Sequence, residues 1–122
     1  MYNTLIMLKP GASFTVAELH TLVVEVVKSG RGVVELRGSD IQVTAGTGSL
    51  SIAWDDAPHV LEESNEIAEE FAMALGCRAR FDMEGDDPEM ELFNDYLLIN
   101  ERLQETGKFV IFDTQEDKLL FE

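Results

Sequence analysis

Apart from its carboxylates, the chain holds few side chains that could do acid–base, nucleophilic or metal chemistry, and they are far apart. His20, His59 and Cys77 are its whole stock of imidazole and thiol. The two histidines stand nowhere near the i,i+4 spacing of an H-E-x-x-H zinc helix. With Cys77 they could form a Cys/His metal set only by coming together from distant parts of the chain. The plainer reading is a histidine at the edge of one helix, another in the first turn of a second, and a strand cysteine serving as a small buried hydrophobe. A catalytic Cys–His pair needs a stabilised thiolate, and the mostly negative charge around Cys77 opposes one.

Serine chemistry lacks its setting, because neither Ser49 nor Ser51 lies in a G-x-S-x-G turn between a strand and a helix. The run Thr44-Ala45-Gly46-Thr47-Gly48-Ser49 has the glycines of a phosphate loop but no G-K-[ST]. A strand follows it, so the helix N-terminus that binds the anion in such loops is missing. A hairpin turn is the expectation.

Carboxylates are abundant. Asp82, Glu84, Asp86, Asp87 and Glu89 are hard oxygen donors within one short stretch, of the kind Ca²⁺ takes from a loop. An EF-hand loop opening at Asp82 would need glycine where Asp87 stands and glutamate where Phe93 stands. That leaves an irregular cation site on Asp82, Glu84, Asp86 and Asp87 as the metal alternative, against a solvated acidic loop. Glycosidase-type work needs two carboxylates facing one cleft in unlike surroundings, and no pattern here places such a pair. The expectation is a non-catalytic protein without a cofactor.

A second acidic set reads as a binding surface. Glu62, Glu63, Glu66, Glu69 and Glu70 fall on one helix that carries no Lys or Arg. Like charges at i,i+4 cost a few tenths of a kcal/mol per pair, so helix stability alone would favour mixed signs. Asp55 and Asp56 precede this helix, and Trp54 beside them is either an aromatic anchor or, by its place in an inward alternation, a core residue. The whole chain repeats the bias, with 9 Lys+Arg against 24 Asp+Glu and a formal net charge of −15. Phosphate backbones and anionic lipid surfaces are repelled by such a chain, so neither nucleic acid nor membrane is an expected partner. A basic protein is its electrostatic complement, unless the acidity serves solubility alone.

These residues need elements to hold them. Asn3–Leu8 is apolar on both alternating faces and predicts an interior strand. Thr15 with Glu18 is a capping box, Phe14 with Leu19 a hydrophobic staple, and Val16, Leu19, Val23, Val26 and Val27 are the inner face of a helix closed by Ser29 and Gly30. Three alternating strands follow over Gly32–Arg37, Ile41–Ala45 and Ser49–Trp54, joined by turns at 38–40 and 46–48. A helix capped by Asp55 or Asp56, with Pro58 in its first turn, buries Val60, Ile67, Ala68, Phe71, Ala72 and Leu75 and stops at Gly76. Cys77–Met83 alternates, with Cys77, Ala79, Phe81 and Met83 inward and Arg78, Arg80 and Asp82 outward. After the acidic 84–89 loop come a helix over Glu89–Glu105, with an apolar stripe of Leu92, Phe93, Tyr96, Leu97 and Leu103, a doubly apolar strand at Phe109–Phe112, and a last strand at Lys118–Phe121.

The order β-α-β-β-β-α-β-α-β-β is not the regular alternation of a parallel α/β sheet. It predicts an α+β fold, with an antiparallel or mixed sheet and about three helices packed on it. Residues 1–122 read as a single domain. One cysteine allows no intrachain disulfide, no apolar run reaches the roughly 20 residues of a membrane span, and the N-terminus lacks signal-peptide character, so a cytoplasmic location is expected. An apolar final strand at a sheet edge would favour a homodimer. Size and charge are those of antitoxin-like immunity proteins, an analogy of class that makes neutralisation of a basic partner the leading functional expectation. A small-ligand or cation-binding domain using the 82–89 stretch is the alternative.

Overall fold

A computed structural model describes residues 2–28, 32–71 and 76–120. Helix α1 (Val16–Val27) starts as its sequence dictates. The Thr15 hydroxyl accepts the Glu18 N–H (3.1 Å) and the Glu18 carboxylate accepts the Thr15 N–H (3.0 Å), so two otherwise orphaned donors are satisfied. Phe14, just outside the cap, stands edge-on to Phe81 and Phe109. The expected stop at Ser29 and Gly30 lies outside the described residues, as do Ala72, Leu75 and Phe121.

The strands are β1 (Tyr2–Leu8), β2 (Val33–Arg37), β3 (Asp40–Ala45), β4 (Gly48–Asp55), β5 (Arg80–Asp86), β6 (Phe109–Asp113) and β7 (Lys118–Leu120), with α2 (Pro58–Glu70) and α3 (Phe93–Glu105) between them. Element order and class are those predicted. All seven strands form one antiparallel sheet in the order β2-β3-β4-β5-β1-β6-β7. β1 lies between β5 and β6, which is why both its faces are apolar. The turns joining β2 to β3 and β3 to β4 are two-residue turns opened by Gly38 (φ 63°) and Gly46 (φ 57°). A positive φ at that first position costs a glycine nothing.

Helices cover both faces of the sheet unequally. α1 and α3 bury Leu19, Val23, Ile99 and Leu103 against Ile6, Phe81, Met83 and Ile111. α2 covers part of the opposite face, setting Ile67 against a smaller apolar group of Met7, Cys77 and Phe112. Beyond α2 that face is polar. Gln42, Thr44, Ser49 and Ser51 line β3 and β4 there, and the Gln42 amide donates to the Ser51 hydroxyl (2.9 Å). The predicted wet face therefore exists on the meander.

Four local expectations need correction. β5 does not begin at Cys77 and end at Met83; it runs Arg80–Asp86. Pairing with β1 as far as Gly85 and with β4 as far as Asp86 extends it, so the first half of the supposed acidic 84–89 loop is strand. Gly85 permits this, since a Cβ there would lie 2.5 Å from the Ser49 carbonyl oxygen. α3 begins at Phe93 rather than Glu89, because residues 87–92 form a turn in which Met90 takes φ 55°. Its inner face is Tyr96, Ile99, Asn100 and Leu103, while Leu97 is exposed. Finally, neither Asp55 nor Asp56 is the N-cap of α2. Ala57 holds that place, Pro58 opens the first turn, and Asp55 accepts the Ala57 N–H from two residues back (3.0 Å).

Candidate functional site

The acidic residues singled out by sequence divide into those with internal partners and those without. Arg80 decides much of the division. The alternation of β5 places it opposite Phe81 and Met83, which is outward by pattern. α2 covers that position, so Arg80 is buried, contrary to the sequence expectation. Its Nη1 donates to Glu63 Oε2 (2.6 Å) and its Nε to Asp82 Oδ1 (2.7 Å), and Asp55 Oδ2 lies 3.9 Å from Nη2. One guanidinium thus holds a carboxylate of α2, one of β5 and the end of β4 together. Burial works against its charge, but Glu63 and Asp82 outweigh burial and raise its pKa, so the cation persists.

The partners titrate in opposite directions. Burial would raise Asp55, but the Ala57 N–H, His59 and Arg80 prevail and its pKa is lowered. His59 Nε2 stands 2.9 Å from Asp55 Oδ2, so this histidine serves as a partner of Asp55. For Asp82, burial is the larger effect, Asp55 adds to it, and Arg80 does not fully offset them, so its carboxyl lies above its usual range.

Asp87 is also internal. It is buried beside the 46–48 turn, and a Cβ on Gly48 would meet its Oδ1. It accepts the Glu91 N–H (2.9 Å), the Leu92 N–H (2.8 Å) and the Tyr2 hydroxyl (2.8 Å). Tyr2 stacks on Tyr96 with centroids 4.3 Å apart, and the Tyr96 hydroxyl bonds Thr4 (2.7 Å). Burial and the bond to Asp87 raise the Tyr2 hydroxyl pKa, so it remains a donor. Asp87 caps the turn that launches α3, work that a side-chain N-cap does in α1.

The structure therefore disperses the proposed cation set. Asp82, Glu84 and Asp86 share one face of β5 at period two, which spaces successive Cα atoms by about 7 Å. Asp82 is engaged by Arg80, and Asp87 is bound on the helix side. Glu89 is exposed in the following turn. Among the described residues no three His, Cys, Asp or Glu side chains are grouped to hold a metal ion.

Glu62, Glu66 and Glu69 on α2 and Asp56 before it are exposed, and among the described residues they have no ion-pair partner. Glu84 and Asp86 are likewise exposed on the open sheet face. Glu70 is close enough to Asp117, in the β6–β7 turn, to share a proton with it, and that contact raises its pKa. Trp54 is half-buried and edge-on to Phe81 (5.0 Å), so its ring belongs to the core and is not an exposed anchor. Cys77 is buried, with its N–H on Ser64 Oγ (2.9 Å). Burial raises its thiol pKa, although Ser64 and Lys9 pull the other way. Desolvation, rather than surrounding acids, is what opposes its thiolate.

Sequence reading missed the reach of Arg80 and the Tyr2–Asp87 cap. The clue to the first was an arginine two residues from an aspartate on a strand, which becomes informative only once α2 is known to lie above it. Comparison with protein-family models, with curated proteins and with solved structures gave no match. Among the described residues no helix is long and apolar enough to cross a membrane.

Proposed function

We propose that the protein is a non-catalytic binding module that engages a basic protein through the exposed carboxylates of α2 and the adjoining open sheet face. The observation carrying this reading is the asymmetry around Arg80. Among the described residues, the one cation that reaches α2 from the sheet takes Glu63 from beneath, and Glu62, Glu66 and Glu69 face solvent without an ion-pair partner. Asp56, Glu84 and Asp86 extend the same sign. A basic surface laid against them would relieve their mutual repulsion and be steered towards them over a Debye length of about 8 Å at physiological salt. Neutralisation of a basic toxin in the manner of an immunity protein is one form of this function, and a cytoplasmic setting suits it.

Asp55, Glu63, Asp82 and Asp87 are excluded from the contacting set, because each has an internal partner. For self-association, β2 is the more favourable edge. Its Val33 and Leu36 are exposed, whereas Leu119 of β7 packs into the smaller apolar group.

The test is capture of partners from native lysate on immobilised protein, with Glu62, Glu66 and Glu69 all changed to lysine as the control. The expected result is a basic protein retained by the native chain, lost on the reversed one, and bound more weakly as salt rises. A partner held equally by both would overturn the reading.

A further inference from the structure

The positive charges of this acidic chain are distributed unevenly. Arg37, Arg80, Arg102 and Lys118 each pair with a carboxylate, as expected where 24 acids surround 9 bases. Lys28 makes no ion pair among the described residues, but it caps the C-terminus of α1, where the helix dipole favours a cation. Lys9, Arg78 and Lys108 also make none among the described residues, and they converge on one end of the sheet. Lys9 follows β1, and its N–H bonds the Lys108 carbonyl (2.8 Å). Arg78 precedes β5, one residue from Ala79, whose carbonyl accepts the Leu8 N–H (3.0 Å).

Between these segments lies a cavity of about 340 Å³ lined by Lys9, Pro10, Gly11, Gly76 and Arg78, with Leu8, Ala12 and Ala79 completing its wall. No carboxylate is among the described residues that line it. The α1/α3 groove has Glu18, Glu25 and Glu105 in its wall, and the hollow on the open sheet face has Glu84. Its frame is set by backbone. Lys9–Ala12 is a turn closed by the Ala12 N–H on the Lys9 carbonyl (3.1 Å), with Pro10 second and Gly11 third at φ 82°, the residue order of a type II turn. Gly76, at φ 60°, faces it, and a Cβ there would come no nearer than 3.9 Å to Pro10. Both glycines leave the space open, and Lys9 and Arg78, which help to line it, are exposed.

We propose that this cavity binds a small anion carrying a phosphate group, held between the Lys9 ammonium and the Arg78 guanidinium. Arginine offers a planar fork that matches phosphate oxygens and lysine a compact point charge. Two cations without an ion pair among the described residues match a phosphate dianion. The volume is that of a small-molecule pocket, at the lower end of the usual few hundred Å³. A polymer is disfavoured, since its further phosphates would run over the acidic remainder of the surface, while a small anion in the cavity is screened from charges more than about 8 Å away. This site is independent of the acidic face and stands or falls separately from it.

Titration of the native protein with inorganic pyrophosphate, followed by calorimetry and by backbone amide shifts, tests the proposal. The expected result is saturable binding, with shifts concentrated at Gly11, Ala12, Gly76 and Arg78. Changing Lys9 and Arg78 together to glutamine should weaken binding by about tenfold or more, as loss of two charge-assisted contacts requires. Lys28→Gln, at another cation without an ion pair, should leave it unchanged. Both altered residues are exposed, and an unchanged melting temperature would show that the fold is kept. No saturable binding, shifts no different from those produced by chloride at equal ionic strength, or equal affinity in the double variant would each overturn the proposal. Tighter binding of a single-stranded oligonucleotide than of pyrophosphate would overturn its restriction to small anions.

Discussion

Arg80→Met removes the cation that joins α2, β4 and β5 while keeping much of the apolar stem. Two short contacts are lost, to Glu63 at 2.6 Å and Asp82 at 2.7 Å. Hydrogen bonds to charged groups contribute about 1.5–3 kcal/mol each, and deleting one partner of a buried ion pair costs about 3–5 kcal/mol because its mate is left uncompensated. Glu63 is partly exposed and can rehydrate, so the lower end of that range, about 3 kcal/mol, is expected at pH 7. The loss has a pH signature. Asp82 already has a raised pKa from burial and from Asp55, and without Arg80 it rises further. A carboxyl whose folded pKa exceeds its unfolded value contributes stability below the unfolded pKa, and that contribution is lost as pH rises through the folded one. The gap between native and variant should therefore be widest at neutral pH and shrink as pH falls towards the ordinary aspartate range. Urea denaturation at several pH values reads both effects as shifts in midpoint with constant slope. A loss below about 1 kcal/mol at pH 7, the size of an exposed pair, or a loss that does not shrink in acid, would refute the account of Arg80 as a buried clamp.

Three further outcomes follow from other parts of the fold. Asp87→Ala should destabilise the protein by about 2–4 kcal/mol, since it orphans the Leu92 N–H at the start of α3, and Tyr2→Phe by about 1 kcal/mol; chemical denaturation of both and of the double variant should show the losses to be less than additive. Asn100 is fully buried and, among the described residues, neither of its side-chain polar atoms has a partner in good hydrogen-bond geometry, so Asn100→Leu should raise stability by about 1–2 kcal/mol, and a lowered melting temperature would show that the amide is satisfied, with the Tyr96 hydroxyl as its candidate partner. Glu70→Gln should raise the melting temperature at neutral pH by ending the conflict with Asp117. Because the folded pKa of Glu70 is raised, its stabilising contribution is present in acid and lost above that pKa, so the gain should disappear at low pH.

The fold was legible where one periodicity governed a whole element. β1 and β6 advertised their interior places by being apolar on both faces, and α1 by a cap and an inner stripe that agree with each other. The reading failed where tertiary contact outweighed local pattern. Glu84-Gly85-Asp86 has the composition of a turn, yet β1 pairs with it as far as Gly85 and β4 as far as Asp86, and together they hold it extended. Leu97 fits an apolar stripe and is exposed, while Asn100 does not fit and is buried, because Tyr96, Ile99 and Leu103 pack against the sheet and Asn100 shares their face of α3.

The candidate site shows the same limit more sharply. Residue type placed Asp55, Glu63, Asp82 and Asp87 in the same class as Glu62, Glu66 and Glu69, since a carboxylate on a polar stripe carries no local mark of its partner. The partner comes from elsewhere in the chain. Glu63 meets an arginine 17 residues on, and Asp87 meets a tyrosine 85 residues back. Once these are assigned, the net charge no longer describes one acidic surface. Part of it is consumed in fastening α2 and the 87–92 turn to the sheet, and the carboxylates that remain on α2 have no ion-pair partner among the described residues. Carboxylates without an ion-pair partner among the described residues, repelling their neighbours on the same helix, leave two accounts outside the folded chain, solubility or a partner. Charge reversal at Glu62, Glu66 and Glu69 separates the two, because it moves the net charge only from −15 to −9, still far enough from zero to keep the chain soluble, whereas a basic partner depends on the sign at those positions.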